Sequence, residues 1–159
     1  MSKKTADQWF AEYGASHQNP VNKLIHWICV PLIFVVIMGL LWEIPVPAAM
    51  ATVPYLNWAT LSAIIVVGFY LNMSPSLAIG LSAFTLATYA LLAWYEQQNG
   101  WPSLWLVCLV GFVVLWVFQF IGHYIEGKKP SFFKDIQFLL IGPAWLMGFI
   151  YRRLGIPYS

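Results

Sequence analysis

Three histidines, His17, His26 and His123, are the only imidazoles in this chain of 159 residues. Neutral imidazole is the commonest metal ligand among side chains, and three suffice for a site that keeps open positions for a reactant. Glu126 follows His123 at i, i+3, so on a helix the two share a face. That carboxylate can serve as a ligand, as an acceptor for a histidine N–H, or as a partner for Lys128 or Lys129; spacing alone favours the lysines. Asn19, Asn22 and His26 fall on one helical stripe. Asparagines so placed cap a helix or orient a ligand. The bland reading of the histidines is that each bonds to backbone or lipid phosphate at a membrane boundary. The lysines and the Arg152–Arg153 pair read first as topology signals that meet anionic lipid; they can also hold the carboxylate of an amphiphilic substrate.

The elements that must bring these residues together are apolar. Hydrophobic residues make up 60% of the chain and charged residues 9%, against about 25% charged in a soluble domain. That composition predicts an all-α integral membrane protein. Cys29 and Cys108 lie inside apolar runs without metal-like spacing and read as buried thiols. The first 23 residues lack an apolar core and do not read as a secretory signal.

Thr5-Ala-Asp-Gln8 matches a capping box. It predicts a short helix with Trp9, Phe10 and Tyr13 on one side, lying on the membrane interface. Asn19 and Pro20 then suit an N-cap and first turn. Apolar runs at 24–42, 58–73, 77–95 and 104–122 predict four spans, each measured against the ~20 residues that cross a bilayer core. Pro31 should kink the first. The proline-rich stretch 43–57 reads as a loop, and 96–103 as a turn. Phe132, Phe133 and Ile136 suggest a second interfacial helix. The run 136–151 contains Gly142-Pro143 and reads as a re-entrant or half-buried segment. The expected organisation is one membrane domain over 1–159: an entry segment 1–23, spans within 24–122, and a loop with the re-entrant segment in 123–159.

The basic residues cluster at Lys3, Lys4 and Lys23, at Lys128, Lys129 and Lys134, and at Arg152 and Arg153. The positive-inside rule puts these clusters, and with them both termini, in the cytoplasm. Four spans satisfy this arrangement. His17, His26 and His123 then lie at one depth on one side. The membrane is expected to be the bacterial inner membrane, or the endoplasmic reticulum in a eukaryote.

Two stretches, HQNPVNKLIH (His17 to His26) and QFIGHYIEGKKPSFFKDIQFLLIGPAW (Gln119 to Trp145), resemble the membrane 2-hydroxy fatty acid dioxygenases of fatty acid α-oxidation. The resemblance is specific in those blocks and merely hydrophobic between them. It implies metal-site roles for His17, His26 and His123, with Asn19, Pro20, Asn22, Glu126, Pro130 and Pro143 also matching. The chain departs from the yeast-type members in having Gln18 after His17 where they carry a second histidine. The implied cofactor is Fe(2+). The implied reaction takes a long-chain 2-hydroxy fatty acid and O2 to the acid one carbon shorter. Asn19, Asn22, Lys128 and Lys129 are the expected substrate-side residues; membrane lipid is an expected partner and nucleic acid is not. Two other readings stand beside this one. His26 and His123 would be axial ligands of a haem, or the chain would be a scaffold with incidental histidines.

Overall fold

The computed structural model describes residues 4–130 and 137–158. Among them the protein forms seven helices and no strand: α1 (Ala6–Gly14), α2 (Pro20–Trp42), α3 (Ala48–Ala51), α4 (Trp58–Met73), α5 (Pro75–Glu96), α6 (Leu104–Glu126) and α7 (Phe138–Leu154). Three of these, α2, α5 and α6, are long and apolar enough to cross a membrane, while α4 is apolar but shorter. Their outer faces carry large apolar side chains such as Ile65, Ile79, Val110 and Val117. So continuous an apolar surface suits lipid rather than water.

Local chemistry sets the helix boundaries. Asn19 caps α2 by accepting from the Val21 N–H, with Pro20 in the first turn. The helix then runs through Pro31 to Trp42 without a break. Ser74 ends α4 and caps α5, so these two helices meet at a single residue before Pro75. Gly127, at φ 70°, ends α6 in the left-handed conformation that suits a residue without Cβ. The stretch 43–57 is not wholly loop, because Ala48–Ala51 makes one helical turn. The interfacial helix expected around Phe132, Phe133 and Ile136 lies outside the described residues.

Contacts at the two ends of the bundle show that α2, α4, α5 and α6 alternate in direction. At one end the Tyr158 hydroxyl donates to Asp7, and the Ser74 hydroxyl donates to the Tyr158 carbonyl. Glu126 meets the start of α2 at this same end. At the other end Trp42 donates to Glu96, and Tyr95 to the Pro102 carbonyl. The tightest helix pair is α2 with α6. Glycine allows that approach: a Cβ on Gly111 would press on Val36, and one on Gly39 would collide with Cys108.

The first and last helices pack on each other. α1 packs part of its aromatic side against protein. It buries Ala6, Phe10 and Tyr13 against α7. The partner surface explains this. A Cβ on Gly148 would stand 2.6 Å from the Phe10 ring, and one on Gly142 3.1 Å from the Tyr13 hydroxyl, so α7 is grooved where α1 is bulky. The apolar segment that begins before Gly142-Pro143 continues as one helix through Pro143 to Leu154. The Tyr70 hydroxyl donates to the Leu140 carbonyl beside the proline, and the Tyr151 hydroxyl to the Ser76 carbonyl. These bonds tie α7 across the end of the bundle at which α2 begins.

Candidate metal centre

His17 lies on the link between α1 and α2, His26 in the second turn of α2, and His123 in the last turn of α6. All three are buried, at 1%, 2% and 6% exposure. Ring centroids are 4.2 Å apart for His17–His26, 5.0 Å for His17–His123 and 4.9 Å for His26–His123. Each pair of rings meets edge to face, at 74°, 71° and 85°. One nitrogen from each ring lies within 4.8 Å of the others, the one such group of metal-capable side chains among the described residues.

For two of the rings, a bond on the far side decides which nitrogen faces inward. His17 Nδ1 donates to the Tyr13 carbonyl at 2.6 Å, which leaves Nε2 with its lone pair. His26 Nδ1 donates to the Asn22 carbonyl at 2.9 Å, with the same result. The buried Nδ1 of His123 has no hydrogen-bond partner among the described residues. His17 Nε2 is likewise buried without one. An unpaired buried nitrogen costs free energy, on the order of 1–3 kcal/mol. A shared cation would satisfy these nitrogens, so the residues present fit a metal. Burial holds the His17 imidazole down to about 4, with the neighbouring His123 adding to the effect against the Tyr13 carbonyl. It is therefore neutral near pH 7, the form that ligates.

Aromatic rings form part of the wall. Tyr13 stacks on His17 at 4.1 Å and 16°, and Trp145 lies 5.6 Å from the same imidazole. Burial pushes the Tyr13 phenol up, so it stays protonated. A cavity of about 250 Å³ begins at the three histidines and continues into the bundle. Gln119, one turn before His123 on α6, is buried and faces that cavity.

The other anticipated residues hold the frame. Glu126 makes neither lysine pairing. Its Oε1 accepts from the Gln18 N–H at 2.8 Å, and its Oε2 from the Asn19 N–H at 2.8 Å and Asn22 Nδ2 at 3.2 Å. These donors surround the start of α2, where a helix favours an anion; exposed backbone N–H groups outbid a mobile lysine. Asn22 is fully buried and also donates to the Ser16 carbonyl at 3.2 Å. Lys128 Nζ donates to the Ala15 carbonyl at 2.6 Å, closing the end of α1. Lys129 is exposed. Asn19 is the α2 cap.

Sequence reasoning passed over Tyr13, Trp145 and Gln119 as site residues. Gln119 had a readable signal, a lone amide in an apolar run four residues before His123. The two aromatics had none in a chain that is 18% aromatic.

A model of the family described as 2-hydroxy-palmitic acid dioxygenase Mpo1-like matches residues 3–154. No curated protein and no solved structure matches the chain.

Proposed function

From the premise that the chain belongs to the Mpo1-like family, we propose that it is an Fe(II)-dependent dioxygenase. In this reading it converts a long-chain 2-hydroxy fatty acid and O2 to the acid one carbon shorter, with loss of the carboxyl carbon. The observation that carries it is the trio of buried imidazoles, each pair meeting edge to face, at the head of an apolar cavity. His17, His26 and His123 would hold the metal, which when bound would supply a redox-active Lewis acid. The Tyr13 and Asn22 carbonyls fix the tautomers that turn two of the lone pairs inward. Tyr13 and Trp145 keep water from the His17 side. Gln119 offers an amide N–H to the substrate carboxylate. Glu126 and Asn22 act on the reaction through position, by locking the His17 segment to the end of α6. The haem reading fits less well, because His26 and His123 touch edge to face and leave no slot for a flat macrocycle.

The same reading makes α2, α4, α5 and α6 four spans of a single membrane domain, with the histidine end and both termini cytoplasmic. The gathering of Lys128 and Arg152 at that end supports it, since cations concentrate on the cytoplasmic side. Cysteine labelling from outside at position 103 but not at position 2 is the expected pattern.

The function is tested by product analysis under O2 and under argon with the iron-loaded protein and a 2-hydroxy fatty acid. The shortened acid should form only with O2. Equal product under both gases, or full iron retention in each of His17→Ala, His26→Ala and His123→Ala, would overturn it.

A further inference from the structure

The cavity that starts at the histidines has two unlike ends. Its head is polar, with His17, His26, His123 and Gln119. Beyond Val30 and Phe34 the wall is apolar, and it reaches Met38, Leu41 and Ser62. From His26 to Leu41 this path follows α2 for roughly 22 Å at the rise of an α-helix. At the far end Met38 lies in the buried cluster of Met38, Ala59, Leu92, Leu104 and Cys108, with Phe34 and Leu41 packed against it. Ser62 adds no free polar group there: its hydroxyl donates to the Ala59 carbonyl at 2.8 Å and touches Met38 Sδ at 3.6 Å.

We propose that this cavity takes the substrate's acyl chain inside the bundle, and that Met38, Leu41 and Ser62 at its far end set the chain length accepted. The proposal rests on the reading of the site as one for a 2-hydroxy fatty acid. A head group at the three nitrogens must send its tail somewhere. α1 and α7 close the cytoplasmic side over Tyr13 and Trp145. The α2–α6 seam is shut by the close approaches at Gly39, Gly111 and Gly122. The open direction is along α2 between α4 and α6, and beyond Gln119 its wall is apolar but for Ser62, whose hydroxyl is already bonded. At about 250 Å³ the space exceeds the ~150 Å³ apolar cavity that admits benzene. It is therefore large enough to solvate a run of methylenes. A chain longer than the cavity must push on Met38 or bend, and overfilling a packed interior is costly.

The experiment measures binding and turnover on the same full-length protein in detergent. Displacement of a fluorescent fatty acid gives affinities for 2-hydroxydodecanoate and 2-hydroxystearate, and mass spectrometry gives the turnover of each. Ser62→Phe should lower the stearate-to-dodecanoate preference by about tenfold. Leu41→Ala should shift the preference toward longer chains. Ile65→Phe, on the lipid-facing side of α4, should change neither. An unaltered preference in both folded cavity variants, checked by size-exclusion and thermal unfolding, would overturn the proposal and put the tail in the bilayer. Length-dependent displacement that responds to Ser62→Phe, with no turnover of any acid, would instead sink the dioxygenase reading and leave the acyl cavity standing.

Discussion

The backbone of Gly122 lies flat against the Asn22 side chain, and a Cβ there would drive into Asn22 Oδ1. Asn22 is in turn bonded to Glu126 and to the Ser16 carbonyl, one residue before His17. The missing side chain of one residue thus lets three elements of the site close on one another. Gly122→Ala should cost about 1–3 kcal/mol through overpacking, although alanine is the better helix former by about 1 kcal/mol. Gly68→Ala, where nothing stands within 4 Å, should show only the helix-forming gain. Thermal unfolding of both variants checks the contrast; a destabilised Gly68→Ala or a stabilised Gly122→Ala would refute it.

Glu126 offers two oxygens to three N–H donors. Glu126→Gln replaces one acceptor by a donor that faces those N–H groups. The mismatch should destabilise the protein by about 1–3 kcal/mol. Metal content or activity should fall by about 10–100-fold, the usual effect of losing a residue that supports a ligand. Glu126→Asp, which keeps the charge but shortens the reach, should recover only part. Unchanged unfolding and metal content in Glu126→Gln would remove the carboxylate from the frame of the site.

How far these features were legible in the sequence depends on the range of the interaction. The α2 cap at Asn19, the α1 capping box and the stop at Gly127 are local, and each was readable from its neighbours. The meeting of His17, His26 and His123 was readable because charge placement and helix count put all three at one end. For Glu126 spacing favours the nearby lysines among its possible partners, because spacing cannot see donors at Gln18 and Asn19, more than a hundred residues away. The docking of α1 on α7 was hidden for a similar reason. Phe10 and Tyr13 look like interface anchors until Gly148 and Gly142 are known to face them.

The His17 imidazole titrates at about 4 because burial opposes its charge, against about 6.5 in an unfolded chain. The folded value lies below the unfolded one, so this residue's contribution is fully present above pH ~6.5. It is lost as pH falls from there through about 4. The loss amounts to at most about 3 kcal/mol. Metal-free protein should therefore unfold at lower temperature as pH drops through this window, and His17→Phe should flatten that dependence. Bound metal should be lost over the same range, since protons compete for the lone pairs. An equal slope in the parent and His17→Phe would contradict the assignment.

Gln119 is the remaining polar side chain at the head of the cavity, one turn from His123 on the same helix. A buried amide in an apolar span is costly unless something uses it. At this position it can reach a carboxylate held near the imidazoles, but it is not among the metal-capable group. Its loss should therefore separate substrate use from metal binding. Gln119→Leu keeps the volume and removes the donor. It should raise KM for a 2-hydroxy fatty acid by about tenfold, the cost of one hydrogen bond to a charged group, while iron content stays at the parent level. Gln119→Asn, shorter but still a donor, should fall between the two. If Gln119→Leu instead loses iron, the amide supports the metal site. If neither KM nor iron content moves, the carboxylate is held elsewhere, and the lysines beyond His123 return as candidates for that role.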